Sequence, residues 1–518
     1  MLRAIENLIR LGAIAAIFAR HDALWPLDRL GLPALVMRPL GWLVQALRRT
    51  SPSVPPGVRL AAALQECGPP FIKFGQALAT RSDLVGEEVA ESLTKLQDRL
   101  PPFPSEQAEA AIEADLGKSL DELFVTFDST PVAAASIAQV HFATTLDAEG
   151  NEREVAVKVL RPGIEAAFRR DLNLFYWLAE QAERYVPSLD RFRAVEVVRT
   201  FARVAETEMD LRLEAAAASE FRENFVDDPT VKVPTVDWQR TGQRTLTLER
   251  VSGIRIDDRA ALAAAGHDID EILRHASEHF FYQVFRDGYF HADLHPGNLF
   301  VDARGTIVAV DFGIMGRIDV ETRRFLGRML LGLLTGDYQD VAQAHFDIGF
   351  IPRDQPRDDF VLAVRAIGEP IRGLPLSEIS LARLLGQLFA TAKRFNIGIQ
   401  PQLLLLQKTM MVAEGVGRTL NPNVNMWELA RPLIEAWMTE NMGPSAELRA
   451  ALTTTLARIH SLPGTLAQVE AAARDFAGGG VKLHPDTIRA IADVRRRTSA
   501  LPALWVIAIL LFLILLSL

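Results

Sequence analysis

The alternation of apolar and polar positions marks one β-rich stretch, from Phe124 to about residue 252. Within it, "AQVHFATTL" and "REVAVKVL" are separated by "DAEGNE", while "TVKVPTVDW" and "RTLTLERV" are separated by "QRTGQ". Apolar residues at every second position are typical of strands with one buried face. We therefore expect a β-hairpin at each of these two places.

Helical periodicity dominates on both sides of this stretch. Residues 58–122 predict helices interrupted at "GPP" and "LPPFP", and residues 163–186 and 192–223 predict two more. After "SGIRIDD" the pattern is mainly helical to about residue 497, except for a short strand pair, "NLFVDA" and "TIVAVDFG". A small β-rich half joined to a larger helical half predicts a cleft between them, where a ligand would bind.

The last 21 residues, 498–518, contain no charged side chain and follow three arginines at 495–497. A helix of that length spans about 31 Å, which matches a hydrocarbon core of about 30 Å. We expect a single transmembrane helix, with a buried C-terminal helix as the alternative. By the positive-inside rule, the folded body would lie in the cytoplasm at the inner membrane.

The first 50 residues carry seven arginines and three acidic residues, a balance of +4, although the whole chain has a net charge of −9. "LGAIAAIFA" at 11–19 is too short to span a bilayer. For residues 1–20 we expect an amphipathic helix on a membrane surface, or one packed on the body. Basic stripes interleaved with aromatic residues are absent, so we expect no nucleic-acid partner.

Three short motifs carry candidate chemistry, and their order matters more than any one of them. "VAVK" ends in Lys158, "HADLHPGN" contains Asp293 and Asn298, and "DFG" begins with Asp311. Together they match the strand lysine, the H-x-D-x-x-x-x-N loop and the D-F-G of protein kinases. We expect Lys158 to hold the α- and β-phosphates of ATP, and Asn298 and Asp311 to ligate Mg²⁺. Asp293 would accept a proton from an acceptor hydroxyl or orient it.

A helix carboxylate should pair with the strand lysine, and Glu214 in "LRLEAAAA" is our choice. The two histidines of the loop, His291 and His295, are interpreted as structural. A zinc site needs three or four converging ligands, and the spacing of these two crosses a loop.

Two departures from ordinary kinases change the expected substrate. "PVAAASIAQVH" stands where a glycine-rich loop would precede Lys158, so we expect ATP to be held in an altered geometry. The residues expected to contact it are Ala133, Ala134, Ala135, Ser136 and Val140. No A-P-E follows Gly313, and an amphipathic helical pattern begins almost at once. Without a peptide platform, we expect a small or lipidic acceptor, or water.

These motifs, with "KFGQ" at 73–76 and "EMD" at 208–210, resemble the UbiB/ABC1/ADCK family of atypical kinases, associated with ubiquinone (coenzyme Q) biosynthesis. The resemblance covers roughly residues 65–420, and the terminal span is similar to the bacterial UbiB branch. It implies an α+β, bilobal protein-kinase-like fold in which the K-x-G-Q extension covers the cleft. It also implies binding of ATP with Mg²⁺, and ATPase activity. The regulatory residues implied are Lys73, Gly75, Gln76, Glu208 and Asp210, with Lys73 lying near the two carboxylates.

The expected domains are a basic membrane-proximal leader, the K-x-G-Q extension, a small lobe, a large lobe, a C-terminal helical region and a transmembrane anchor, at 1–56, 57–123, 124–252, 253–440, 441–497 and 498–518. We expect an ATPase that supports ubiquinone biosynthesis by giving access to prenylated phenolic precursors, in contact with the biosynthetic enzymes. A small-molecule or lipid kinase and a nucleotide-binding scaffold remain alternatives. In the family, "EAANA" stands where this chain has "EAAAA", with Ala217 in place of the asparagine.

Overall fold

The structure of the protein is a computed structural model, and it describes residues 2–25, 46–48, 53–79, 85–94, 100–185, 193–352, 354–370, 384–388, 391, 395, 400–422, 432–433 and 436–441. The chain divides into two compact units. One comprises residues 64–173 and 196–438 and contains every predicted site residue; the other comprises residues 1–63, 174–195 and 439–518.

The elements follow the predicted alternation of helical and β-rich stretches. The helices are α1 (Leu2–Arg20), α2 (Pro56–Cys67), α3 (Pro69–Ala79), α4 (Glu87–Thr94), α5 (Ser105–Leu116), α6 (Leu120–Leu123), α7 (Ile164–Tyr185), α8 (Ala194–Glu208), α9 (Leu211–Asn224), α10 (Arg259–Ala264), α11 (Ile269–Phe281), α12 (Val320–Thr335), α13 (Tyr338–Asp347), α14 (Arg357–Gly368) and α15 (Pro401–Leu420). The strands are β1 (Thr126–Phe127), β2 (Ala133–Ala134), β3 (Ala138–Leu146), β4 (Glu152–Leu160), β5 (Val231–Lys232), β6 (Thr245–Glu249), β7 (Ile254–Arg255), β8 (Tyr289–His291), β9 (Leu299–Val301), β10 (Ile307–Ala309) and β11 (Met315–Arg317).

The first sheet confirms the first predicted hairpin. Its strand order is β1-β3-β4-β6, with β2 paired to β3, and β3 and β4 run antiparallel over their full length. Val155, Val157 and Val159 of β4 are fully buried and pack with Ala108 and Ile112 of α5. Side chains alternate across a strand, so the same register turns Lys158 to the opposite face.

The second predicted hairpin is confirmed only in part. β5 pairs in parallel with β10 in a second sheet of order β5-β10-β9-β7. The two predicted arms meet antiparallel at one bridge, Val236 to Leu248, and the Asp237 and Glu249 N–H groups donate to the Thr247 and Thr235 carbonyl oxygens. Pro234 lacks the N–H that a ladder requires. Asp237 accepts the N–H groups of Gln239 and Arg240 instead, and so starts a 3-10 turn. β6 pairs along its whole length with β4 and not with β5.

Two further differences concern elements around the candidate site. The helix predicted over 192–223 is broken between α8 and α9, because the Asp210 side chain accepts the Arg212 N–H and begins a new helix. The short strands β8 and β11 were not predicted, and they pair antiparallel with Phe290 opposite Gly316. The predicted pair around Arg304-Gly305 is confirmed as β9 and β10.

The larger helical half has its own apolar core, built mainly from α11 to α15. Phe290, Leu326, Tyr338, Phe360 and Leu406 are among its buried members. α11 continues into a π-helical segment, Tyr282–Asp287, which leads directly into β8. This core therefore supports the loop that follows β8.

The terminal predictions have different outcomes. Residues 2–20 form the expected helix, with Ile14 and Ala19 buried and Ile9 exposed. Among the described residues, no helix combines the length and apolar character needed to cross a membrane. The predicted span at 498–518 lies outside the described residues, as does the predicted region 441–497 apart from Asn441.

Candidate active site

Lys158 and Glu214 form the ion pair predicted from the sequence. β4 supplies Lys158 and the first turn of α9 supplies Glu214, and the Lys158 Nζ lies 2.8 Å from Oε1 and 2.9 Å from Oε2 of Glu214. The Glu214 side chain is 8% exposed. A carboxylate in the first turn of a helix is favoured by the helix dipole. The pair joins the first sheet to α9.

Asp311 completes a three-residue cluster. Its Oδ1 lies 3.1 Å from the Lys158 Nζ, although 153 residues separate the two in sequence. The backbone of Asp311 is in the left-handed region, with a φ of 62°. Such a conformation costs a non-glycine residue about 1 kcal/mol or more and is concentrated at functional sites. The geometry thus marks Asp311 as a position fixed by its surroundings.

Phe312 is the anchor that holds Asp311 next to α9. Its side chain is 1% exposed, and its ring lies 5.3 Å from that of Phe221 and 5.5 Å from that of His291. Ala217, the departure from the family motif, packs beside the same cluster. An apolar contact therefore fixes the distance between the Asp311 and Glu214 backbones.

Opposing charges set the protonation of the cluster. Burial would lower the pKa of Lys158, but Asp311 and Glu214 outweigh it and raise that pKa. The Lys158 ammonium holds the pKa of Asp311 below its ordinary value, an effect that solvent weakens because half of this side chain is exposed. Burial raises the pKa of Glu214 to about 7, against the pull of Lys158. Near neutral pH the lysine and Asp311 are charged.

The loop after β8 carries Asp293 and Asn298 and is hydrogen-bonded to the segment that contains Asp311. The Asn298 Nδ2 donates to the Asp293 carbonyl oxygen at 3.0 Å, and the Val310 N–H donates to the Asn298 carbonyl oxygen at 2.9 Å. The second bond ties the loop to the residue that precedes Asp311. Asn298 is held so that its amide oxygen remains an acceptor, the kind of ligand that Mg²⁺ prefers.

The two loop histidines have structural partners, as predicted. The Asp293 N–H donates to the His291 Nδ1 at 3.1 Å, so the proton is assigned to Nε2, which faces the Val310 carbonyl oxygen at 3.2 Å. The His295 Nδ1 accepts the Gly297 N–H at 3.1 Å and caps the 3-10 turn at Pro296–Asn298. In the part of the chain that the structure describes, no cluster of histidine, cysteine and acidic residues has metal-site geometry.

The alanine-rich segment folds back on β3. Ala133 pairs with Val140 and Ala134 with Gln139 of β3, and the β3–β4 register places Val140 opposite Lys158. Ser136 is fully buried. The Ala135 N–H donates to the Ala138 carbonyl oxygen at 2.8 Å. The Ala135 N–H therefore already has a backbone acceptor in this structure.

Arg161 links the alanine-rich segment to the sequence "LPPFP". Its Nη2 donates to the Ala135 carbonyl oxygen at 3.1 Å and to the Pro101 carbonyl oxygen at 2.7 Å, and its guanidinium lies over the Phe103 ring. The Phe103 N–H donates to the Gln139 Oε1 at 3.0 Å. The sequence "LPPFP" thus contacts the alanine-rich segment directly, which periodicity did not predict.

The K-x-G-Q helix, α3, meets the end of α8. The Lys73 Nζ lies 2.9 Å from the Glu208 Oε2, and both side chains are mostly buried. Gly75 is buried and Gln76 is partly buried on the same helix. Asp210, expected as a second partner of Lys73, caps α9 and pairs with the Arg212 guanidinium at 2.6 Å. Lys73 also contributes to the lowered pKa of Asp311.

One residue at the site was missed by the sequence reasoning. The Lys408 Nζ, on α15, lies 3.1 Å from the Asp293 Oδ1. Helical periodicity gave Lys408 only as a polar position in an apolar helix. The one feature of the sequence that could have indicated Lys408 is that it is the single lysine of this helix, "PQLLLLQKTMMVAEGVGRTL".

Comparison with known proteins agrees with these motifs. A family model described as "ABC1 atypical kinase-like domain" matches residues 95–345, and one described as "UbiB helical domain" matches residues 364–425. A Marinobacter nauticus protein named "Probable protein kinase UbiB" is 44% identical over 453 residues, which cover 86% of this chain and 81% of that protein. An Azotobacter vinelandii protein of the same name is 43% identical, with 86% and 83% covered.

A solved structure, of a Mycobacterium tuberculosis protein in complex with erythromycin, is 27% identical, covers 69% of this chain and 90% of that chain, and has a TM-score of 0.47. The motif resemblance noted in the sequence is confirmed by the two family matches and by the identity to the curated relatives. The chain belongs to the UbiB family of atypical kinase-like proteins, and its mixed helix and sheet architecture is a kinase-like fold.

Proposed function

We propose that the protein is a Mg²⁺-dependent, ATP-using enzyme that supports ubiquinone biosynthesis at the inner membrane. The observation that carries the proposal is the convergence of Lys158, Glu214 and Asp311 beside the loop of Asp293 and Asn298. Phosphoryl transfer needs chiefly positioning and charge neutralisation, which such a set provides.

The donor set fits a hard cation. Asn298 offers an amide oxygen and Asp311 a carboxylate oxygen, both of which are ligands that Mg²⁺ prefers. The hydrogen bond from the Val310 N–H to the Asn298 carbonyl oxygen connects Asn298 to the residue just before Asp311. When bound, Mg²⁺ would neutralise charge on the phosphate oxygens. Lys158 is held by Glu214 in a position to bind the α- and β-phosphates, while Asp293 orients the acceptor.

The segment after Asp311 argues against a peptide acceptor. Only six residues, 314–319, separate Gly313 from α12, and they include β11 and the Asp319 cap of that helix. The Asp319 side chain accepts the Thr322 N–H at 2.7 Å, which fixes the helix start. A platform for an extended peptide is therefore absent from this described segment. Water or a small lipidic acceptor fits better, and we propose a prenylated phenolic precursor as the molecule handled.

The test is the ATPase rate of the full-length protein in detergent and in lipid vesicles, with and without a phenolic lipid mimic. We expect the Asp311→Asn variant to lose about 100-fold or more of the rate, because it loses a metal ligand. Asp121→Asn, an exposed carboxylate in α6, is the matched control and should keep the wild-type rate. A wild-type protein no faster than Asp311→Asn under every condition contradicts the proposal.

The same preparations distinguish the two alternative functions. A lipid kinase is favoured by one observation, the 37% exposure of the Asp293 side chain, and it predicts phosphorylated lipid only in cells that carry the gene. A nucleotide-binding scaffold predicts that Lys158→Ala still restores quinone synthesis to cells that lack the gene. Loss of synthesis with Lys158→Ala supports the ATP-using enzyme.

A further inference from the structure

α15 is fixed in the molecule by apolar side chains. Leu403, Leu406 and Met410 are buried in the large apolar core. These positions recur at intervals of three and four residues, so they form one face of the helix. At about 100° per residue, Lys408 lies on the opposite side of the helix from this face, and its side chain is 35% exposed. The helix is therefore held by its apolar face, and this sets where the lysine side chain reaches.

The lysine reaches the acid of the kinase-like loop. Its Nζ is 3.1 Å from the Asp293 Oδ1, and 115 residues separate the two in sequence. α15 lies within the match to the UbiB helical domain, whereas the ABC1 match ends at residue 345. A residue outside the kinase-like match thus contacts the group expected to face the acceptor.

Charge explains why a cation is needed there. The site gathers three carboxylates, those of Glu214, Asp293 and Asp311, and Lys158 contacts two of them. Lys408 is the cation beside the third. The phosphates of a nucleotide would add more negative charge next to Asp293. An ammonium is a compact point charge that both fixes a carboxylate and offsets such a charge.

We propose that Lys408 is a positioning residue of the active site, which holds the Asp293 carboxylate toward the transferring phosphate. The helical domain thereby completes the site. This inference rests on the proposed ATP-using function. Its ligand class is a nucleoside triphosphate with its metal. In the step it serves, an acceptor oxygen forms a bond to the terminal phosphorus, the bond from that phosphorus to the nucleoside diphosphate breaks, and the acceptor proton passes to Asp293.

The experiment measures kcat and KM for ATP hydrolysis, and binding of a fluorescent ADP analogue with Mg²⁺, in the full-length protein. Lys408→Met should lower kcat by about 10- to 100-fold, since a misplaced catalytic group costs that much. KM and nucleotide affinity should change less than threefold. Lys408→Arg, which restores a cation, should recover a substantial part of kcat.

Arg418→Met is the matched control, because it removes an exposed cation from the same helix. It should keep the wild-type kcat. Asp293→Asn and the double variant Asp293→Asn/Lys408→Met complete a mutant cycle. We expect the double variant to be no slower than Asp293→Asn alone, because the two residues act as a unit.

The outcomes separate this inference from the proposed function. If Asp311→Asn abolishes hydrolysis but Lys408→Met has the wild-type kcat, or if the two losses of the cycle add, the role of Lys408 is refuted and the function stands. If the wild type is no faster than Asp311→Asn, the function itself fails. Should Lys408→Met fail to fold, Lys408→Gln and Lys408→Arg decide: equal kcat values for these two variants overturn the proposal.

Discussion

At the scale of single residues, several buried histidines have a local hydrogen-bond partner. His345 is one such group: its Nδ1 donates to the Val341 carbonyl oxygen at 2.8 Å, and its ring packs against Phe325 and Phe360. Burial lowers the pKa of His345 to about 4, and the Val341 carbonyl only partly offsets this. The imidazole is therefore neutral at physiological pH.

The low pKa of His345 makes the free energy of unfolding depend on pH. The unfolded chain binds a proton at His345 near pH 6.5 and the folded chain only near pH 4, so stability is lost as pH falls between these values. At pH 5 the loss from this residue amounts to about 2 kcal/mol. Urea unfolding at pH 7 and pH 5 measures it. His345→Gln should lose less stability over that interval than the wild type, whereas His267→Gln, a partly exposed control, should not differ from the wild type.

The residue scale also shows what sequence reasoning can and cannot reach. Lys158, Asp293, Asn298 and Asp311 were predictable because their order and spacing match a known set of motifs. The pairing of Lys158 with Glu214 followed from the same pattern, in which a helix carboxylate fixes the strand lysine. Lys408 was not predictable. Helical periodicity predicts that Lys408 lies on the polar face of a helix. Which loop this face contacts depends on tertiary packing, which periodicity does not predict.

At the scale of elements, alternation predicted long strands well and short ones poorly. β3 and β4 each contain nine residues, enough for a clear period of two. β5 has two residues, and β8 and β11 have three each, so no period can be read in them. Their partners are set by the surrounding packing: β5 pairs with β10, and the predicted hairpin is reduced to a single bridge between Val236 and Leu248.

The hydrogen bonds of Arg161 should hold the alanine-rich segment to "LPPFP" and slow its local opening. Arg161→Met keeps the length of the side chain but loses the donors to the Ala135 and Pro101 carbonyl oxygens. Hydrogen bonds from charged groups contribute about 1.5–3 kcal/mol each. Amide hydrogen exchange at residues 133–138 should therefore become about tenfold faster or more, and KM for ATP should rise.

Arg169→Met, which removes an exposed arginine from α7, is the control for this variant. It should leave exchange at residues 133–138 unchanged. If exchange there is as slow in Arg161→Met as in the wild type, the segment is held by the β2–β3 pairing alone and Arg161 is dispensable for it.

At the scale of the whole molecule, one compact unit contains all three sheets of the described residues and every candidate site residue. A ligand that binds only the folded form of such a unit stabilises it by mass action, by about 2.7 kcal/mol at a concentration of 100 Kd. We therefore expect ATP with Mg²⁺ to raise the Tm of the full-length protein by a few degrees. Chelation with EDTA should abolish the shift in the wild type.

Asp311→Asn provides the contrast for this measurement, because it removes a metal oxygen while leaving the Phe312 anchor in place. Its Tm should not respond to Mg²⁺ added with ATP. A shift of equal size in the variant and the wild type would mean that the nucleotide binds elsewhere.

The contact between Lys158 and Asp311 has a last consequence. While the two side chains stay in contact, the Asp311 carboxylate balances the charge of the Lys158 ammonium, and the ammonium occupies one oxygen of that carboxylate. Magnesium alone would meet a repelling ammonium, and phosphates alone would meet repelling carboxylates. Only magnesium and phosphate bound as one complex can replace both partners of this contact at once, so we expect either component alone to bind more weakly than the two together.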